Sequence, residues 1–304
     1  MKKICLIKNE HNNTRLDRWF RRYICNVPQS FIEKNIRKGN IKVNKKTKKS
    51  SYKLITNDIV EIYNINFSTI KTNKSHNNYI ATKREISQAS GIFIENNENF
   101  VVINKPAGIA VQSGTKSRKN ILDILKKTKE FEGSSPFTVH RIDKETTGVF
   151  VVAKNRQYAQ LFTSLFRIRK IHKTYLCIVI GEFKKNEKGI FKDELITYEG
   201  NKKIISKAIT RYEVIDSNNN YSLLELNPET GRKHQLRKQL LIRSHPILGD
   251  TKYRLIEKNK IKHKNLMLHS YKINFSINGA KHKYFAELPI HFKKMLKEKY
   301  LKIY

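Results

Sequence analysis

Carboxylates are scarce in this chain. Only 26 Asp and Glu stand against 62 Lys and Arg in 304 residues, leaving a formal net charge of +36 and a pI near 10.1. That imbalance points to a polyanionic partner, RNA or DNA. A coding bias toward Lys, Asn and Ile yields the same composition, so charge alone does not identify the ligand. Cysteine is scarcer still: Cys5, Cys25 and Cys177 show no Cys-x-x-Cys spacing. Their scatter excludes a disulfide framework or a zinc site and fits a reducing compartment. No apolar run approaches the length of a membrane span, and the start, MKKICLIKNEHNN, lacks a signal-peptide core. A soluble, cytoplasmic protein is expected. HExxH, P-loop and dinucleotide fingerprints are missing, so no metal or other cofactor is expected.

What is present is the material of a folded protein. Hydrophobic residues make up 38% of the chain, with 15 Phe and 14 Tyr against a single Trp. The length suits one sizeable core and a small accessory module. In RLDRWFRRYI, Leu16, Trp19, Phe20 and Tyr23 recur at helical spacing, while Arg15, Arg18, Arg21 and Arg22 occupy the other face. After Val27-Pro28, SFIEKNIRKG repeats the pattern through Phe31, Ile32 and Ile36, with Gly39 placed to end the helix. IKVN and DIVEIY read as short strands around the basic turn KKTKKSS. The polar stretch 67–90 reads as a linker. From Gly91 onward, GIFIENNENFVVINKPAGIAV, GVFVVAKN, TYLCIVIGEF, AITRYEVI and YSLLELNP read as strands, and NILDILKKT and RQYAQLFTSLFRIRK as helices. A mixed, mainly antiparallel sheet with flanking helices, α+β, fits this order better than a doubly wound fold.

Within HRIDKETTGVFVVAKN, Asp143 stands between Arg141 and Lys144, close to His140. An Asp in such a loop is ordinarily a turn-maker. The wider pattern argues otherwise. The loop resembles the catalytic loop of the RluA family of RNA pseudouridine synthases, His-Arg-Leu-Asp-Lys followed by a polar turn and Gly. Further segments match in order: NKPAGIAVQSG (Asn104–Gly114), the Lys-x-Tyr element Lys173 and Tyr175, NPETGRKHQLRKQL, HPILGDTKY and LMLHSYKINF. The N-terminal pattern resembles the S4-type RNA-binding domain, through RLDRWF, VPQSFIEKNIRKGNIKVN and NDIVEI. These resemblances imply an S4-like domain over 1–66, the linker, and a catalytic domain over 91–304.

They also imply roles. Pseudouridine formation breaks the N1–C1′ bond of a uridine, turns the base and joins C5 to C1′, with no cofactor. The nucleotide must leave its stack, and an ionised carboxylate, Asp143, must reach it. Arg237 is the family's guanidinium partner that holds the carboxylate ionised. Tyr175 is the aromatic that stacks on the flipped uracil, and Arg141 the residue that fills the vacated space. Lys173, His140 and His234 fall at the same site, the two histidines as orienting groups rather than acid–base catalysts. Lys105-Pro106 reads as architecture beneath the loop. Arg15, Arg18, Arg22, Lys34, Arg37 and Lys38 are the expected RNA contacts of the first domain, meeting phosphates of structured RNA. The S4 module and the VPQSFIEKNIRKGNIKVN stretch resemble the C-type branch acting on large-subunit ribosomal RNA. The expected enzyme is a monomer. An idle RNA-binding assembly factor, a synthase acting on tRNA and a nucleic-acid glycosylase are the competing readings. Departures from the family pattern are Ile142, Thr147, Gln112, Lys233, Lys238-Gln239 and Arg254; the last three sites are expected to alter RNA contacts.

Overall fold

The computed structural model describes residues 2–65, 79, 81–112, 119–199, 202–255 and 265–303, and the chain divides into two compact units, Met1–Asn78 and Tyr79–Tyr304. Residues 67–78 and Ile80 of the stretch read as a linker, and Ser113-Gly114 of the NKPAGIAVQSG motif, lie outside the described residues.

The first unit runs β1 (Lys2–Leu6), α1 (Leu16–Tyr23), α2 (Gln29–Arg37), β2 (Ile41–Val43) and β3 (Ile59–Tyr63), with an antiparallel sheet in the order β1-β3-β2. Leu16, Trp19 and Phe20 pack with Ile32 and Ile36 onto Ile41, Val43, Val60 and Ile62. Tyr23, expected on the same buried face, is 46% exposed. It sits in the last turn of α1, where its ring meets His11 at 4.2 Å rather than the sheet. Arg15 is also less free than the pattern suggests. Its guanidinium grips buried Asp17 at 2.6 and 3.1 Å, and Gln29 donates to the same carboxylate. Arg18, Arg22, Lys34, Arg37 and Lys38 are exposed. Gly39 ends α2 at φ +72°, with Gly39 N–H donating to Ile36 C=O and Asn40 N–H to Asn35 C=O. That is a Schellman closure, as the sequence predicts.

The second unit contains α3 (Lys83–Ser90), β4 (Phe93–Asn96), β5 (Phe100–Lys105), α4 (Ile121–Leu125), β6 (Phe137–Thr138), β7 (Thr147–Ala153), α5 (Arg156–Arg167) and β8 (His172–Ile180). It continues with β9 (Lys188–Glu199), β10 (Lys202–Asn218), β11 (Tyr221–Pro228), α6 (Gln235–Ile242), β12 (Leu268–Ile277), β13 (Ala280–Phe285) and α7 (Ile290–Glu298). Ten strands form one sheet in the order β4-β5-β7-β12-β8-β11-β10-β9, with β13 on β12 and β6 on β7. β7 and β12 pair in parallel, and the other described pairings are antiparallel. The architecture is α+β, as expected. α3 lies inside the stretch read as a linker. There Thr82 and Glu85 form a reciprocal capping box, a local helix signal that the polar composition hides.

All seven residues of β7 are buried. One face of the strand packs Val149 and Val151 against Phe100, Phe162 and Phe275 under α5. The other packs Phe150 and Val152 against Ile121, Leu125 and Ile142 under α4. A strand covered on both faces reads as an unbroken apolar run, which is how VFVVA looks in the sequence. No helix among the described residues is long and apolar enough to cross a membrane.

Gly148 opens β7 at φ +107°, and a Cβ there would stand 2.1 Å from the Ser270 carbonyl oxygen of β12. The close approach lets the chain leaving the Asp143 loop join the parallel pair. Gly148→Ala is expected to cost at least about 2 kcal/mol, through clash and left-handed strain together. Urea unfolding of the two proteins measures it.

Candidate active site

The loop before β7 alternates its side chains. Arg141 is exposed, Ile142 is buried in the core beneath α4, and Asp143 emerges 23% exposed on the cleft side. Ile142 therefore anchors the loop from below. Lys105, at the end of β5 and fully buried, fixes it from behind. Its ammonium donates to Pro106, Ile109 and Lys144 carbonyls at 2.8, 3.0 and 3.1 Å. Gly108 N–H donates to the same Lys144 carbonyl. The architectural role expected of Lys105 thus takes a specific form: a buried cation bound to the backbone of the residue after Asp143. Burial lowers its pKa to about 7, against the pull of Glu145 and Asp143.

Arg237 enters from α6, 94 positions further along the chain, and its Nη1 donates to Asp143 Oδ2 at 3.2 Å. The other edge of the guanidinium is occupied. Nε and Nη2 donate to Asp250 at 2.6 and 2.7 Å, and the Asp250 side chain has no exposed surface. The backbone N–H groups of Lys252 and Tyr253 both donate to Asp250 Oδ1. The Tyr253 ring lies against the guanidinium at 5.0 Å. Sequence reading missed Asp250 and Tyr253, although HPILGDTKY was singled out as a motif. Nothing in that segment marks the Asp as an arginine clamp.

His234 precedes α6 with φ +52° and places Nε2 3.7 Å from Asp143 Oδ1, while Nδ1 bonds the Tyr253 hydroxyl at 2.8 Å. Burial lowers its pKa, opposed by Asp143 and reinforced by Arg237, Lys252 and Lys233. The ring thus bridges Asp143 and Tyr253. His140 lies half-buried between Phe150 and Phe166, each 4.6 Å away between centroids, and accepts Val151 N–H at 2.9 Å through Nε2. Burial, with Lys173 adding, lowers it to about 3.

Tyr175 stands at the centre of β8, paired with Ser270 of β12 and Leu226 of β11. Burial pushes its phenol up to about 12, so the ring presents a neutral hydroxyl. Lys173, two residues earlier on the same strand face, is half-buried and lowered by desolvation. Asp143, Tyr175, Arg237, Arg141, His140, Lys173 and His234 all line one cleft of about 770 Å³. Arg167, Arg169, Arg232 and Lys233 also line it, cations the sequence analysis left without a role at this site. Gln239, expected to touch RNA, is fully buried. It accepts from Thr210 at 2.6 Å and donates to Asp193 at 2.7 Å, tying α6 to the β9–β10 hairpin. A Gln one turn beyond a helix start looks exposed in sequence; the hairpin laid over it reverses that.

The Asp143 carboxylate in a mainly cationic cleft, where the other acidic residue, Glu229, is paired with Arg211, stands with a buried aromatic and is suited to chemistry on a flat base and its sugar. Residues 99–241 match the family described as RNA pseudouridylate synthase, and the chain belongs to it. Among its relatives, the ribosomal large subunit pseudouridine synthase C of Buchnera aphidicola subsp. Schizaphis graminum is 32% identical over 307 residues, 96% of each chain. The protein of the same name from Rickettsia conorii is 33% identical over 299 residues, 93% of this chain and 97% of the relative. Among solved structures, human RNA Pseudouridylate Synthase Domain Containing 4 is 26% identical with a TM-score of 0.62, covering 72% of this chain and 96% of that one.

Two outcomes follow from the site's geometry. Asp250→Asn keeps the side-chain shape but loses the ionic clamp, so turnover on RNA falls at least about tenfold with RNA affinity little changed, as single-turnover and binding assays will read. His140 binds fewer protons folded than unfolded between its ordinary value and about 3. Stability therefore rises with pH across that window and falls as pH drops through it, by at most about 1.4 kcal/mol per unit. His140→Gln, which retains an acceptor for Val151, flattens that slope in a pH series of denaturant midpoints.

Proposed function

We propose that this RNA pseudouridine synthase isomerises uridines of large-subunit ribosomal RNA, with Asp143 as the group that reacts with an extruded nucleotide. The observation that carries the proposal is the Asp143 carboxylate, accessible in the cleft and held by Arg237 while Tyr175 faces the same space. Burying a carboxylate favours its neutral form, and an adjacent guanidinium opposes that. Arg237 therefore serves the ionised state that either attacks C1′ of the sugar or removes a ribose proton. The Tyr175 ring offers a stacking surface worth about 1–3 kcal/mol for a base. Its neutral hydroxyl is a proton donor in the resting site. Arg141, exposed beside Asp143, is placed to fill the stack that the base leaves.

Relatives matching 93–96% of this chain carry the large-subunit name, which favours ribosomal RNA over tRNA as the target. We read the first unit as an S4-type module. Its exposed Arg18, Arg22, Lys34, Arg37 and Lys38 set position on structured RNA through phosphates. Arg15 serves mainly to hold Asp17. A cytoplasmic monomer is the corresponding working state.

The test maps pseudouridines in total RNA from cells with the gene, without it, and with Asp143→Asn. The expected result is a set of large-subunit sites that vanish on deletion and stay absent with Asp143→Asn, while the purified variant still binds RNA. Sites restored by Asp143→Asn would remove that carboxylate from the chemistry. Sites confined to tRNA would move the target, and release of free uracil would indicate a glycosylase.

A further inference from the structure

The corner between α5 and β8 turns on a left-handed arginine. Arg169 N–H donates to Phe166 C=O at 3.3 Å and Lys170 N–H to Leu165 C=O at 2.9 Å, so α5 ends in a Schellman closure. The position that must be left-handed is Arg169, at φ +60°. Glycine takes that conformation without strain and does so in the matching closure of α2, at Gly39, whereas α6 and α7 close on Ser244 and Tyr300. An arginine there carries backbone strain. Arg167 and Arg169 are both exposed, and no ion pair among the described residues uses either. Arg167 makes one long hydrogen bond, 3.4 Å to Ser164.

Strained residues that the fold keeps collect where ligands are held. Two observations put Arg169 at such a place. Both arginines line the cleft of Asp143. Phe166, just before them, stacks on the His140 ring at 4.6 Å. The end of α5 is thereby held in fixed register with the loop three residues ahead of Asp143. Arg232, in the same lining, is pinned through Nε to the Lys207 carbonyl at 3.0 Å, with Lys233 next to it in the chain. These four cations thus line the cleft of Asp143, with Glu229 among them paired to Arg211.

We propose that Arg169, with Arg167 beside it, binds a phosphodiester of the RNA strand next to the nucleotide that enters the cleft. This rests on the reading of the cleft as the site of a flipped nucleotide. A flipped nucleotide remains joined to its strand by a phosphate on each side of its sugar. The fork of a guanidinium fits those oxygens. Such a contact fixes the strand without reading its sequence.

The test compares wild type, Arg169→Gly and Arg169→Lys, as full-length proteins, in binding an in vitro transcript of large-subunit ribosomal RNA from about 50 to about 200 mM salt. Arg169→Gly removes the cation and the strain together. The expected plot of log K against log salt is shallower by about 0.7–0.9, with weaker binding at low salt and a melting temperature no lower than wild type. Arg169→Lys restores most of the slope. A wild-type slope and affinity in Arg169→Gly would overturn the proposal. So would weaker binding at unchanged slope with a lowered melting temperature, the mark of a structural role. Binding is read without turnover. A slope change on a transcript that wild type leaves unmodified would uphold the phosphate contact and count only against the assigned reaction.

Discussion

The second unit depends on one shared arginine. Arg237 is divided between two carboxylates, gripped by two bonds from buried Asp250 and reaching Asp143 with the single nitrogen that remains. The guanidinium also contributes position. A lone arginine on a helix would sample rotamers and deliver its charge to a volume of space. Asp250 removes that freedom, and the Lys252 and Tyr253 amides remove it from Asp250 in turn. A buried ion pair is weak evidence for stability, since desolvation offsets most of the attraction. Its use here is geometric.

That geometry requires both partners to be placed independently. The Asp143 side is fixed at three points: Ile142 in the core, Lys105 on the Lys144 carbonyl, and Gly148 against Ser270. The Arg237 side is fixed through α6, whose Gln235 and Gln239 reach the backbone or side chains of Ile209, Thr210 and Asp193 on the β9–β10 hairpin. The 3.2 Å contact is where these two constructions meet. A disturbance of the hairpin therefore reaches Asp143 through buried amides, far from any direct contact with it.

Much of this was legible before the fold was known, and the pattern of failures is physical. Periodicity located α1, α2, α5 and β7, because each presents an apolar face or run to a core. Motif order brought Asp143, Tyr175 and Arg237 to one cleft across a separation that no local rule spans. β9 escaped because its charged residues, Lys192, Asp193 and Glu194, break the apolar run that usually marks a strand. Asp250 escaped for a related reason: a carboxylate buried against an arginine looks in sequence like any turn Asp after Gly. Gln239 was misassigned because a polar residue was taken as a surface residue. The misses at Asp250 and Gln239 each involve a polar group whose burial is decided by a distant segment.

Burial also sorts the cations, and that sorting bears on function more than the net charge does. Lys105 and Arg237 are inside, their donors directed at protein oxygen; they hold the loop and the carboxylate. Arg141, Arg167 and Arg169 are outside, along the same cleft. Had the basic composition come from coding bias alone, lysine on open surface would account for it. A fully buried ammonium bound by three carbonyls does not arise that way. The interior cations answer to the fold; the cleft cations stay exposed to solvent, and on the reading proposed above the phosphates of an RNA strand are what they meet.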